Sequence, residues 1–278
     1  ITVRTTSDDG YIETSDDSYN AIWSASSGTV HDTEDFIRIG QNLSKTYTVC
    51  RGFLIFNTST LPSNAAITNA TLSLYKETDH SDTDFTIVIQ HGQTTTPSYP
   101  HVPLQSGDYG KSHYSGNGGS LNTTDFKDGW NDIQLQNYSW IKKGNTTKLC
   151  LRSSRDINGN EPTGDEYVSI YSADIPPYYP DYVPKLVVTY RNQSKIKNTG
   201  STDIKGYLLM QIQYYDTSKW VVENNTIVET SPRTIGIGDQ LALDTIFNGH
   251  IRTNDLKHNG SYYRVYAAFG DVDHSSVI

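Results

Sequence analysis

Residues 50–56 read CRGFLIF, and this stretch decides the fold class because apolar side chains occupy both of its faces. A strand that is apolar on both faces is typical of the centre of a β-sandwich, where other layers cover it on each side. Residues 71–75, TLSLY, alternate instead and place Leu72 and Leu74 on one face. Helical periodicity is nearly absent from the chain, so the sequence predicts an all-β protein.

Further strand candidates flank these two segments and are separated by clusters of Gly, Pro, Asn, Asp and Ser. They are Phe36–Ile39, Phe85–Gln90, Trp130–Leu135, Lys148–Arg152, Tyr167–Tyr171 and Leu186–Tyr190. Many short strands with turns between them are typical of a jelly-roll β-sandwich, which we predict for residues 1–191. The polar residues 191–195 mark a boundary, after which strands resume with LLMQI at 208–212. We predict a smaller immunoglobulin-like β-sandwich over residues 196–278.

The charge and the apolar runs of the chain argue against a nucleic-acid partner and against a membrane span. The 278 residues include 22 Lys and Arg against 31 Asp and Glu, which gives a net charge of −9. An acidic chain lacks the basic footprint that nucleic-acid phosphates require, so we expect no nucleic-acid partner. No apolar run approaches the roughly 18 residues of a membrane-spanning helix, so we expect no membrane span in this fragment.

Nine of the 19 asparagines stand in Asn-X-Ser/Thr sequons, more than composition alone predicts. They are Asn42, Asn57, Asn69, Asn122, Asn137, Asn145, Asn192, Asn224 and Asn259. This enrichment favours an exported glycoprotein, and we expect an extracellular or cell-surface location. The alternative is that chance sequons accumulate in a β-protein rich in Asn, Ser and Thr. Cys50 and Cys150 fit one disulfide in an oxidising compartment, but the sequence leaves open whether they pair.

Several stretches of the first domain carry a likeness to a known family. They are DGYIET at 9–14, FIRIG at 36–40, RGFLIFN at 51–57, AITNATLSL at 66–74, GWNDI at 129–133 and PKLVVTY at 184–190. Together they resemble jelly-roll modules named for an Asp-Asn-Arg-Leu-Arg-Glu (DNRLRE) sequence, over about residues 5–190. That family occurs in archaeal disaggregatase-related and surface proteins and in bacterial polysaccharide-degrading enzymes, and is grouped with carbohydrate-binding modules. The resemblance implies a jelly roll that binds carbohydrate.

Residues 156–166 are rich in oxygen-bearing side chains and form a candidate calcium loop. Asp156, Asn158 and Asn160 would face one Ca²⁺, as in the first half of a calcium-binding loop. The alternative, a plain polar hairpin loop, is favoured because the turn glycine and the distant bidentate glutamate of the helix-flanked loop do not follow. Jelly-roll binding modules often carry a structural Ca²⁺, and no other cofactor is expected, because no Cys pair has zinc spacing.

Aromatic side chains in loops are the candidate sugar contacts, because sugar faces stack on rings while hydroxyls bond to nearby polar groups. The candidates are Tyr99, Tyr109, Tyr114, Tyr178, Tyr179 and Tyr182. The alternative is that these rings pack beneath their own loops. Lys111, His113 and Tyr114 also imitate the side chains of a polysaccharide lyase, although a Gly- and Ser-rich loop explains them as well.

Three functions remain open after this reading. The first is a non-catalytic cell-surface protein that binds polysaccharide or cell-surface glycan, or mediates adhesion. The second is a structural subunit that self-assembles into a surface layer, sheath or filament through its sandwiches. The third is an accessory part of a polysaccharide-degrading enzyme, and a lyase or hydrolase activity of the chain itself is the reading least favoured.

Overall fold

The computed structural model describes residues 1–176, 180–192, 195–197, 204–216, 219–227, 233–235, 240–242 and 263–270. The chain divides into two compact units, Ile1–Tyr190 and Arg191–Ile278. Long antiparallel strands dominate, which confirms the predicted all-β class. No helix in the described part of the chain is both long and apolar enough to cross a membrane.

In its described residues the first unit contains thirteen strands and two short α-helices, and the last strand runs just past the end of the unit. The strands are β1 (Thr2–Arg4), β2 (Gly10–Asp16), β3 (Thr29–His31), β4 (Phe36–Leu43), β5 (Tyr47–Asn57), β6 (Ala65–Ser81), β7 (Thr86–Gly92), β8 (Tyr114–Ser115), β9 (Ser120–Asn122), β10 (Trp130–Gln134), β11 (Thr146–Ser153), β12 (Asp165–Tyr171) and β13 (Lys185–Asn192). The helices are α1 (Tyr19–Ser24) and α2 (Ser154–Asn158).

The strands pair in the order β1-β13-β6-β12-β4-β5-β11-β7-β8, with β10 beside β6, β2 beside β5 and β3, and β9 beside β7. Strand β4 pairs with β12 on one side and with β5 on the other, and residues of all three strands contribute to one hydrophobic core. Gly40 stands between these two partners with φ +131°, and a Cβ there would lie 2.3 Å from the carbonyl oxygen of Glu166. Only glycine therefore fits at this position.

Strand β5 is buried on both faces, as the sequence predicts. Leu54 and Phe56 point into the core between the two halves of the sheet, where they join Leu72 and Leu74 of β6. Phe53 belongs to a second cluster that includes residues of α1 and of the segment 104–114. This second layer explains why the outward face of β5 is also apolar.

A buried ion cluster lies under this second layer. Arg51 of β5 is fully buried, and its Nε and Nη2 donate to the two carboxylate oxygens of Asp156 at 2.9 and 2.8 Å. Arg152 adds a third bond at 2.7 Å, from its Nε to Asp156 Oδ2. Arg51 Nη1 donates to the carbonyl of Tyr109, and Trp23 Nε1 donates to the Asp156 carbonyl at 2.7 Å. Asp156, through its carboxylate and its backbone carbonyl, and Arg51 together connect α1, β5, β11, α2 and the segment that follows β7.

Charge pairing decides the ionisation of Asp156. Burial alone would raise the pKa of this carboxyl, but Arg51 and Arg152 outweigh burial and lower it to about 2. Because this value lies below the ordinary 3.8, the ionised form stabilises the folded chain above about pH 4. That contribution is lost as the pH falls through about 2.

Asp9, in the connection between β1 and β2, is buried without a cation beside it. Its carboxylate oxygens accept the backbone N–H of Ala173 at 3.1 and 3.3 Å. Burial raises the pKa of this carboxyl to about 8, because the surrounding apolar atoms penalise the charged form. The folded chain therefore holds a proton on Asp9 at neutral pH.

Both cysteines are free and buried, so the disulfide that the sequence left open does not form. Cys150 lies opposite Phe53 across the β5–β11 pair, and opposed side chains share a face. Cys50 is an odd number of residues from Phe53 and faces the other side of the sheet. The two sulfur atoms accordingly belong to different core clusters.

The second unit contains six described strands: β14 (Lys195–Lys197), β15 (Ile204–Asp216), β16 (Lys219–Ile227), β17 (Arg233–Ile235), β18 (Gln240–Ala242) and β19 (Tyr263–Gly270). Strand β15 pairs antiparallel with β16, β19 and β17, and β14 pairs with β18. The immunoglobulin-like sandwich predicted for residues 196–278 includes residues outside the described ones, so that arrangement stays a prediction.

The buried ion cluster gives a stability prediction. We expect Asp156→Asn to lower the free energy of unfolding by about 3–5 kcal/mol, because it leaves two buried guanidinium groups without their counterion. Urea denaturation followed by tryptophan fluorescence measures the change. Asp35→Asn is the matched control, since Asp35 is exposed. A loss no greater than that of the control would contradict the structural role given to Asp156.

Asp9 gives a pH-dependent prediction of the opposite sign. Since its folded pKa exceeds the ordinary 3.8, its contribution to stability is full below about pH 4 and is lost as the pH rises through about 8. Asp9→Asn cannot ionise, so between about pH 5 and pH 9 the variant should lose less stability than the parent chain, by on the order of 2–4 kcal/mol. Thermal unfolding at both pH values tests this, with the exposed Asp17→Asn as control. Parallel pH profiles for Asp9→Asn and the parent would refute it.

Candidate functional site

A groove of about 580 Å³ lies at the end of β7. Its lining comes from residues 91–102, from the turn 139–146 between β10 and β11, and from Lys148 of β11. The lining side chains include three rings together with hydroxyl, amide and ammonium groups, and none of the lining residues is Asp or Glu. Clefts that combine apolar surface with a few directed polar groups are the ordinary form of a small-ligand site.

The indole of Trp140 is held on the surface of the groove by its neighbours. His91 stacks nearly parallel to it, with ring centroids 4.5 Å apart and planes 14° apart. A Cβ on Gly118 would lie 2.0 Å from Trp140 Cζ3, so the ring rests against backbone that only glycine leaves open. The ring is therefore positioned before any ligand arrives, which lowers the entropic cost of binding.

Tyr99 supplies the other large ring of the groove. It is half-buried, and His113 stacks on one of its faces with centroids 3.6 Å apart. The backbone before and after it is tied to β11, because Lys148 Nζ donates to the carbonyl of Ser98 at 3.2 Å and to the carbonyl of Pro100. Burial lowers the pKa of Lys148, with Asp108 acting in the opposite direction.

Asp108 anchors the segment that carries Tyr99. This fully buried carboxylate accepts the backbone N–H of His101 at 2.9 Å and that of Gln105 at 2.8 Å. The ring nitrogen Nδ1 of His101 lies 2.8 Å from the same carboxylate. Residues 101–108 therefore close on one charged centre, and the next residue, Tyr109, bonds through its carbonyl to Arg51.

The predicted sugar contacts have different positions in the structure. Tyr99 lines the groove. Tyr109 and Tyr114 are 0% and 5% exposed, so their prediction as surface contacts is wrong. They cover the outward face of β5, where the Tyr109 hydroxyl donates to the carbonyl of Ile22 and Tyr114 packs on Phe53. Their loop folds inward because that face of β5 needs an apolar cover.

The remaining predicted tyrosines belong to the loop before β13. Tyr178 and Tyr179 lie outside the described residues. Tyr182 is half-buried and stacks on Tyr75 with centroids 3.9 Å apart, beside Tyr171. We call Tyr75, Trp130, Tyr171 and Tyr182 the outer aromatic cluster, because Tyr75 and Trp130 pair across β6 and β10 on the face opposite Leu72 and Leu74.

The three lyase-like side chains do not converge. Lys111 places its ammonium over the ring of Trp23, His113 stacks on Tyr99, and Tyr114 is buried against Phe53. Burial lowers the pKa of His113. No lyase-like constellation therefore forms from this set.

The structure also separates the predicted calcium ligands. Both carboxylate oxygens of Asp156 are used by arginines inside the protein, whereas Asn158 and Asn160 are exposed. Asp156 and Asn158 lie in the short helix α2, and this helix turns the Asp156 carboxylate inward. In the described part of the chain, no group of three or more His, Cys, Asp and Glu has the geometry to hold a metal ion.

The sequons differ in exposure. Asn57, Asn69, Asn122, Asn137 and Asn145 are exposed, and Asn42 is half-buried in β4. Asn192 lies in β13 and Asn224 in β16, and Asn259 lies outside the described residues. Asn145 also lines the groove.

Sequence reasoning missed Trp140 and His91. Trp140 stands in a short helical turn, and His91 at the end of a strand, so nothing in their spacing places them together. The one available signal was the glycine-rich run 116–119, which leaves room for a large ring.

A comparison with protein-family models finds no family that matches the chain, and a comparison with curated proteins finds no match either.

Proposed function

We propose that the first unit is a non-catalytic carbohydrate-binding module of an extracellular cell-surface protein, and that the groove beside β7 is its sugar site. One observation carries the proposal: the groove sets positioned rings beside hydroxyl, amide and ammonium groups. The resemblance to DNRLRE-type jelly-roll modules supports the same function. Polysaccharide or cell-surface glycan is the proposed partner.

The chemistry of a sugar fits this lining. A pyranose presents C–H groups on its faces, which pack on aromatic rings such as Trp140 and Tyr99. Its hydroxyls lie at the ring edge, where Ser139, Asn145 and Lys142 offer donors and acceptors. Of these, Lys142 is exposed and forms no ion pair with a described residue, so its ammonium is available to a ligand.

A structural subunit of a surface layer, sheath or filament is the second candidate. Strand β1 ends the sheet on one side, and Ile1 and Val187 beside it are 39% and 37% exposed. An unpaired strand edge next to apolar side chains can pair with another chain. Electron microscopy of the native material tests this function, and monomers alone would argue against it. The third candidate, an accessory part of a polysaccharide-degrading enzyme, would use the same groove.

The sugar site is tested by removing its rings. We expect Trp140→Ala or Tyr99→Ala to weaken polysaccharide binding at least about tenfold, which is ~1.4 kcal/mol, because each change removes a stacking face. Isothermal titration against a panel of soluble neutral and acidic polysaccharides gives the affinity. Circular dichroism shows whether each variant remains folded.

Trp130→Ala is the matched control, because it removes an indole from the outer aromatic cluster. Binding that falls only in this variant would move the sugar site to that cluster and overturn the proposal for the groove. Failure of the parent chain to bind any member of the panel would refute carbohydrate binding itself.

A further inference from the structure

Among the six sequons whose asparagine side chains the structure describes, three share a local geometry that the other three lack. Asn57 is the last residue of β5, Asn122 is the last residue of β9, and Asn137 precedes the helical turn Tyr138–Trp140. All three asparagines are exposed. Asn57 and Asn122 are each the last paired residue of a strand, opposite Thr146 and Thr86, so the chain leaves the sheet directly after them.

In each of these sequons the asparagine bonds to the third residue of its own motif. The side-chain oxygen Oδ1 accepts the backbone N–H of Ser59 at 3.1 Å, of Thr124 at 3.0 Å and of Ser139 at 3.1 Å. The hydroxyls of Thr124 and Ser139 donate to the same oxygen at 3.0 and 2.7 Å. This is the Asx turn, in which the side chain closes on its own backbone.

The turn leaves the other end of the carboxamide available. With Oδ1 occupied, the nitrogen Nδ2 is the remaining polar atom of Asn57, Asn122 and Asn137, and it donates to no described residue. Asn Nδ2 is the atom to which N-linked glycans attach. The turn also places the Ser or Thr that the sequon requires next to the asparagine.

Two other sequons lie inside β-strands. Asn42 pairs with Thr48 on one side and with Asp165 on the other, so the chain cannot bend there without breaking ladder hydrogen bonds. Asn69 lies in β6, and its Oδ1 accepts a bond from Gln134 Nε2 at 2.7 Å across the sheet. Neither asparagine bonds to the third residue of its own motif within the described chain.

The sequon of Asn145 differs in another way, because its hydroxyl is not accessible. This sequon ends at Thr147, which is fully buried. The Thr147 hydroxyl lies 2.9 Å from Thr58 Oγ1 and accepts the N–H of Lys142 at 2.9 Å. A transferase acting on the folded chain cannot reach this hydroxyl.

We propose that Asn57, Asn122 and Asn137 carry N-linked glycans and that Asn42, Asn69 and Asn145 do not. The co-reactant is an oligosaccharide linked to a lipid through pyrophosphate, and a transferase catalyses the step on the folded surface. Asparagine Nδ2 forms the new bond to the anomeric carbon, the bond from that carbon to the phosphate oxygen breaks, and the lipid pyrophosphate leaves. Nδ2 loses one proton, so the amide stays an amide and no oxidant is needed.

This inference rests on the export that the proposed function assumes, but not on the sugar groove. Glycopeptide mass spectrometry of the protein isolated from its own cells tests it. The expected result is a glycan mass on the peptides that contain Asn57, Asn122 and Asn137, and unmodified peptides for Asn42, Asn69 and Asn145. Glycan on Asn42, Asn69 or Asn145, or bare asparagine at all three proposed sites, would overturn it.

Two substitutions of Thr124 test whether glycosylation of Asn122 requires the hydroxyl of its sequon. Thr124→Ala removes both the hydroxyl and the sequon, so the glycan on Asn122 should disappear while those on Asn57 and Asn137 remain. Thr124→Ser is the matched control, since it keeps a hydroxyl and should keep the glycan. Loss of the Asn122 glycan in both variants, or in neither, would count against glycosylation of Asn122 through this sequon. Polysaccharide titration of the same samples reports on the groove separately.

Discussion

The pairing of Asp156 with Arg51 and Arg152 is the constraint on which the first unit depends. Three charges are removed from water here, and this is tolerable only because every carboxylate oxygen is bonded to a guanidinium group. Arg51 also donates to the carbonyl of Tyr109, so a side chain of another shape could not make both contacts. Ordered charge pairing therefore holds the second layer on the outward face of β5.

The groove follows from that layer. Tyr109 continues from the segment that Asp108 closes, and this segment carries Tyr99 to one side of the groove. Lys148 fastens the same segment to β11, while glycine backbone supports Trp140. The rings are thus held by contacts made within the protein, which is the usual condition for a site on loops to recognise a ligand with little reorganisation.

The strands could be predicted from the sequence, but most of the site could not. Alternation in β6 and the apolar faces of β5 depend on local spacing, so Leu72 and Phe53 were recognisable as core. The buried positions of Tyr109 and Asp156 depend on their bonds to Arg51. Because Arg51 is distant along the chain, no local sequence pattern indicates that it is their partner. Tyr99 could be named as a candidate because it is an aromatic residue of a loop, whereas Trp140 meets His91 only in the folded chain.

The free cysteines have a consequence for the environment in which this unit survives. Burial raises the pKa of both thiols, so little of the reactive thiolate forms, and the two sulfur atoms face opposite sides of one sheet. Glutathione or another reductant would find no cross-link to open in this unit, and an oxidant would find no accessible thiol to join to a neighbouring molecule. The architecture of this unit therefore does not depend on the redox poise of its surroundings.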